Sequence, residues 1–361
     1  MAERLLTGLP GETPSFTLLF CSAGVDADAL AEALAPRIRG PWIGCTTAGE
    51  IVGPEGYLKE GALLVCVHSP AIQAAAAGIS GLDHFDPTDA TQVVDGLRAG
   101  LEATEPMDPA RHFALLLVDG LAQREERVVA SLYAALAGVP VIGGSAGDGL
   151  RFRRTRILHG GRFHDAAAAV LLVRCALPFE VFGLHHFEPT PDRLVITAAD
   201  APRRIVSEIN GYPAAEEYAR LVGVALEDLN PMIFAAHPVM HRIGGEFFIR
   251  SIQCANPDGS LTFYCAIEPG LVLTIGRPGD MVGHLQREVS RLKASLPGLS
   301  LVLGCECVLR RIELEMKGGI PAVEQLLADL PFVGFSTYGE QFNGIHVNQT
   351  LTGVAIGGLD T

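Results

Sequence analysis

The chain has 361 residues, enough for two domains, and carries 27 Lys and Arg against 41 Asp and Glu, a formal net charge of −14. That balance argues against nucleic acid as the main partner, because phosphate recognition needs a basic face. With 48% apolar and 19% charged residues the chain can bury a sizeable core, which excludes disorder as a description of the whole.

In chain order, the apolar run Phe16–Cys21 reads as a buried strand and Ala27–Ile38 as a helix that ends before Pro41. Pro41-Trp42-Ile43-Gly44-Cys45-Thr46-Thr47-Ala48-Gly49-Glu50 is then a strand closing in a polar glycine turn, and Ala62–Val67 a further strand. Gly61 to Leu82 contains no formal charge, but His68-Ser69-Pro70 and the glycines make it two strands joined by a turn rather than a membrane span. The same order returns twice. Phe113–Val118, Glu125–Leu136, the turn Pro140-Val141-Ile142-Gly143-Gly144-Ser145-Ala146-Gly147-Asp148 and the strand Ala167–Val173 form the second copy. Leu299–Gly304, Ala322–Leu330, the turn Pro331-Phe332-Val333-Gly334-Phe335-Ser336-Thr337-Tyr338-Gly339-Glu340 and the strand Leu351–Ile356 form the third.

The repeated unit is therefore strand, helix, strand, turn, strand. The strand–helix–strand part predicts a parallel pair with a right-handed crossover, and places each turn at the carboxyl end of a strand, where α/β sheets usually bind ligands. Between the second and third copies, Phe179–Phe187 and Leu194–Ala198 read as strands, and Ala214–Leu221 as a helix begun at Pro213. Phe247–Gln253 and Leu261–Ile267 read as a hairpin around Asn256-Pro257-Asp258-Gly259, and Met281–Leu292 as another helix. The expected class is α/β in the broad, mixed α+β sense, with mixed, partly parallel sheets. A boundary near Asp200-Ala201-Pro202 divides the chain into domains 1–200 and 201–361.

The eight cysteines form no CxxC, and Cys305-Glu306-Cys307 cannot alone supply a four-ligand zinc site. Most lie in apolar runs, which suits a reduced, cytoplasmic protein, and Met1-Ala2-Glu3-Arg4 does not open a secretory signal. Gly143-Gly144-Ser145-Ala146-Gly147 matches G-x-S-x-G, but the following residues read as strand and hairpin, whereas a serine nucleophile elbow needs a helix there. No dinucleotide or P-loop fingerprint occurs. His237 and His241 have the i, i+4 spacing of a chelating pair on a helix, and one of His185-His186 could face a pocket as an axial haem ligand. Arg151, Arg153, Arg154 and Arg156 read as a solvated face or a docking patch for an acidic partner. Arg250 and Arg310 could each fork onto a ligand carboxylate, while Glu50, Asp148 and Glu340 could accept an ammonium group or simply cap their turns.

These pieces together resemble the FIST family, named for F-box and intracellular signal transduction. The resemblance runs from Gly44–Glu50 and Gly143–Asp148 through Asn210-Gly211-Tyr212-Pro213-Ala214, His237-Pro238, Phe248-Ile249-Arg250-Ser251, Glu268-Pro269-Gly270 and Cys307–Arg310 to Gly334–Glu340. It implies an N-terminal and a C-terminal FIST domain forming a non-enzymatic sensor of a small ligand such as an amino acid. Its output would be a separate signalling protein such as a kinase or cyclase. The expected ligand residues are Cys45, Thr46, Thr47, Gly144, Ser145, Asp148, Arg250, Arg310, Phe335, Ser336, Thr337, Tyr338 and Glu340, and no metal or cofactor is expected. Two alternatives remain: a haem-binding nitric-oxide sensor using His185, His237 or His241, and a serine hydrolase using Ser145. Asn210 stands where the family commonly has an acidic residue, and Leu184-His185-His186-Phe187 only loosely follows its Ser-His-Gly-Trp stretch.

Overall fold

The computed structural model describes residues 1–7, 11–102 and 106–358. Contacts divide the chain into two compact units. The first comprises Met1–Leu184, Leu285–His346 and Leu351–Thr361, the second His185–His284 and Val347–Thr350. These units do not follow a single cut at residue 200. The reason is pairing: strand Leu351–Ile356 lies between strands Phe179–Leu184 and Leu301–Cys307, which draws both ends of the chain into one unit.

In the first unit the three repeats build three sheets. Each has a parallel pair at its centre: Phe16–Ser22 with Trp42–Thr47, His112–Val118 with Val141–Ser145, and Leu301–Cys307 with Phe332–Thr337. On the other side of the first strand lies an antiparallel one, Ala62–Val67, Ala167–Cys175 or Leu351–Ile356. The sequence places these elements correctly. The hairpin that follows each turn, however, leaves its own repeat.

The first hairpin, Glu50–Val52 and Gly56–Leu58, pairs with Phe332–Thr337 of the third repeat. The second, Ile157–His159 and Arg162–His164, pairs with Trp42–Thr47 of the first. The third, Glu340–Phe342 and Ile345–Val347, extends the sheet of the second repeat at Val141–Ser145. The exchange closes on itself, so no repeat completes its sheet alone.

One apolar core serves all three sheets. Phe20, Cys45, Leu117, Ile142, Ile157, Cys305, Phe335 and Val354 lie in it, with the Phe20 and Phe335 rings stacked at 4.3 Å. The outer face of the first sheet is covered by helix Ala27–Leu34, capped where the Asp26 side chain accepts from the Ala29 amide, through Leu30, Ala31 and Leu34. Helices Pro87–Gly100 and Glu125–Ala135 cover the second sheet in the same apolar manner. The third sheet receives Val308–Lys317 and Ile320–Ala328. The helix Val308–Lys317 is absent from the sequence reading; Val308, Leu309 and Ile312 recur at helical spacing, but its buried side also includes Arg310, Arg311 and Glu313.

The second unit is an antiparallel sheet ordered Glu246–Arg250, Val239–Ile243, Val272–Pro278, Phe187–Asp200, Ile205–Ile209, Leu261–Phe263 and Ile252–Ala255. Helix Ala214–Val222 packs Ala214, Ala215 and Tyr218 into its core. Two expectations change here. The run Phe247–Gln253 is broken at Ser251 into strands with different partners, so only Ile252–Ala255 forms the hairpin with Leu261–Phe263. His237 ends the short helix Pro231–Ala236 and His241 lies on strand Val239–Ile243, so they do not share a helix face.

Candidate functional site

The three turns meet in one place within the first unit. Backbone amides bind them reciprocally: Ala48 N donates to Ser336 O at 2.9 Å and Ser336 N to Gly49 O at 2.7 Å. Ser145 N donates to Gly339 O at 2.8 Å, Tyr338 N to Ser145 O at 3.1 Å, and Gly147 N to Thr46 O at 2.9 Å. Thr47, Ser145 and Thr337 hold equivalent register positions opposite Ser22, Val118 and Cys307. The first and third turns match closely. In each, a glycine at φ +130° or +143° (Gly49, Gly339) donates its amide to the threonine hydroxyl, at 3.2 Å in both. That hydroxyl donates to the carboxylate that follows, Glu50 or Glu340.

The side chains of these turns mostly bind one another. Glu50 accepts from Thr47 at 2.6 Å and from Ser22 at 2.7 Å, yet burial dominates and holds its carboxyl above the ordinary range. Asp148 behaves oppositely. Burial pushes its pKa up, but the Tyr338 hydroxyl and the backbone amides of Arg154, Arg153 and Phe152 together outweigh burial and lower it. Thr46 Oγ1 accepts from the Arg156 amide at 3.0 Å, and Ser145 Oγ accepts from Gln341 Nε2 at 2.9 Å. Cys45 and Phe335 point into the shared core, where burial pushes the Cys45 thiol well up. A side chain at Gly144 would run into Thr337 and Phe335.

Beneath the third turn the character changes. Arg310 is fully buried, and its Nε donates to Glu306 Oε1 at 3.0 Å. Both of its Nη atoms, Glu306 Oε2, the Tyr57 hydroxyl and Ser336 Oγ are buried without a hydrogen-bond partner among the described residues. Glu306 and Ser336 are register partners across the parallel pair. Burial and the adjacent Glu306 carboxylate hold the Tyr57 phenol protonated, well above its ordinary pKa. Arg311, beside them, stacks over the Tyr57 ring at 5.5 Å and donates to Ala48 O and to Glu315. Sequence reasoning marked Arg310 and Ser336 but missed Glu306 and Tyr57. The signal for Glu306 was a single charge inside the otherwise uncharged run from Leu299 to Leu309, four residues before Arg310.

The other expected residues fall apart from this cluster. Arg250, His185, His237 and His241 belong to the second unit. His185 Nε2 is 3.1 Å from the Phe247 carbonyl oxygen, and burial lowers the pKa of all three histidines. No group of three or more His, Cys, Asp or Glu side chains suited to a metal ion occurs among the described residues. Strand Val141–Ser145 leads through a bend to strand Ile157–His159, so Ser145 does not open a helix as a nucleophile elbow does. Two of the four clustered arginines are paired locally, Arg154 with Asp165 and Arg156 with Asp28, while the backbone of 152–154 binds Asp148.

A sequence model of the FIST N domain matches residues 15–212, and one of the FIST C domain matches residues 214–343. The chain belongs to the FIST family. FIST domains are small-ligand sensory and signal-transduction domains. The FIST N match contains the first two repeats, and the FIST C match contains most of the third. A comparison with curated proteins finds no match. No helix among the described residues is long and apolar enough to cross a membrane.

Proposed function

We propose that this FIST protein is a non-enzymatic cytoplasmic sensor of an amino acid or similar small zwitterion, passing its state to a separate output protein such as a kinase or cyclase. The convergence of the three turns carries this reading, because it gathers residues 46–50, 145–148 and 336–340 around a single point next to a buried arginine. Within that set Arg310 and Ser336 keep groups open for a ligand, while Thr46, Thr47, Ser145, Asp148, Thr337, Tyr338 and Glu340 hold the turns that present them. Thermal-shift measurements against the common amino acids test it. At about 100-fold excess over Kd, linkage predicts about 2.7 kcal/mol of stabilisation. A flat response to all of them overturns this ligand class.

A haem-binding reading has its own observation. In the second unit an open groove of about 420 Å³ is lined by His241, Arg193, Arg242, Phe247, Leu271 and Val272. Burial lowers the His241 pKa, favouring the neutral imidazole that ligates iron, and the two arginines suit propionates. Bound haem would supply a gas-binding iron. A Soret band on reconstitution that His241→Ala removes supports this reading, and a protein that stays colourless ends it.

A further inference from the structure

The pairing of Arg310 with Glu306 is incomplete in an informative way. A guanidinium and a carboxylate that exist only to neutralise each other usually meet as a two-bonded fork, since both are then desolvated at least cost. Here contact is made through Nε alone, which leaves two buried donors on one side and one buried acceptor on the other. Each such group destabilises the fold if nothing meets it, because its lost hydration is not replaced. The Ser336 hydroxyl adds another open donor to the same cluster, and the Tyr57 phenol stands against the Glu306 carboxylate. Tyr57 arrives on the hairpin that the first repeat lends to the third sheet, so the cluster is assembled from two repeats.

The open groups set the ligand's character. Arg310 pairs with Glu306 and Arg311 with the half-exposed Glu315, and the phenol is neutral, so these charges balance. The two open Arg310 Nη donors need acceptor oxygens, so the missing partner presents a pair of them. Two guanidinium nitrogens side by side match the two oxygens of a planar carboxylate, and the open Glu306 Oε2 requires a donor close to that carboxylate.

We infer that Arg310, Glu306, Tyr57 and Ser336 form a buried binding site for an α-substituted carboxylate, whose carboxylate is held by the Arg310 Nη atoms and whose α-hydroxyl or α-ammonium group donates to Glu306 Oε2. The site lies under helix Val308–Lys317 rather than on the turn carboxylates. It rests on the ligand-sensing reading only for its biological use, since the open groups stand by themselves.

Three probes dissect it in the full chain: acetate, glycolate and glycine, each compared with chloride at equal ionic strength by thermal shift and calorimetry. Glycolate or glycine is expected to stabilise the protein more than acetate, and all three more than chloride. A Glu306→Gln/Arg310→Met double variant should abolish the response. Ser336→Ala should weaken the apparent affinity about tenfold, the loss of one hydrogen bond to a charged group. If the double variant does not fold, Ser336→Ala and Arg310→Lys carry the test, the latter because an ammonium keeps the charge but not the fork. A wild-type response no larger than that to chloride overturns the site, as does an equal response in the variants. Crystals grown with glycolate that show only ordered water at the Nη atoms overturn it too. An amino acid that stabilises wild type and double variant alike sinks this site but keeps the sensor reading. Stabilisation by glycolate with no amino acid active keeps the site and removes the amino-acid reading.

Discussion

The first and third repeats share a backbone and differ in what they bury on the outside. Both have a Thr–Gly–Glu turn with the same hydrogen bonds and a glycine in the same unusual conformation. Outside the first sheet, Leu19, Cys21 and Leu64 meet Leu30, Ala31 and Leu34. At the equivalent place outside the third sheet, Glu306, the register partner of Ser336, pairs with Arg310. Apolar burial there would have stabilised the fold at no specificity cost. A polar cluster kept in its place sacrifices that stability, which is the contrast the proposed ligand site accounts for.

Six variants break or sharpen the comparison. Gly49→Ala should have the largest effect, because an alanine at φ +130° is strained and its Cβ would overlap the Arg311 guanidinium and lie 2.9 Å from the Leu58 carbonyl. A loss of about 3 kcal/mol or more is expected in urea unfolding. A loss under about 0.5 kcal/mol would deny that the turn geometry matters.

Next comes the contrast between the helix-covered faces. Leu34→Ala in the first repeat should cost about 2–5 kcal/mol by opening a cavity. Glu306→Leu/Arg310→Leu in the third should be neutral or stabilising by about 1–4 kcal/mol, since it removes a buried charge pair together with its open groups. If the apolar pair instead destabilises the chain as much as Leu34→Ala does, the polar cluster is structural.

The turn carboxylates should show opposite pH signatures. Asp148, held below its ordinary range, contributes stability above that range and loses it as pH falls through its lowered pKa. The cost of Asp148→Asn should therefore be greatest at neutral pH and shrink in acid. Glu50, held above its range, contributes fully below that range and loses its contribution as pH rises through the raised pKa. The cost of Glu50→Gln should be greatest in acid and shrink towards neutrality. Denaturant midpoints measured across the acid range check both, and parallel trends would refute the assignment. The smallest effect belongs to Arg154→Ala. Its ion pair with Asp165 is exposed on both sides, so a change within about 0.5 kcal/mol is expected from the same unfolding curves.

The sequence by itself determined the three repeats, because each strand is an apolar run, each helix stops at a proline, and each turn carries its own glycine. Family membership followed from the same motifs. It could not show the cyclic exchange of hairpins, since residues 50–58, 157–164 and 340–347 pair with strands far away in sequence, and local pattern carries no record of a distant partner. The polar cluster was legible only in part, for a related reason. Arg310 and Ser336 stand out in the sequence, whereas Glu306 and Tyr57 are ordinary residues in their own segments. Only the closing of the third sheet by the first repeat's hairpin, under helix Val308–Lys317, brings them together as a buried polar cluster.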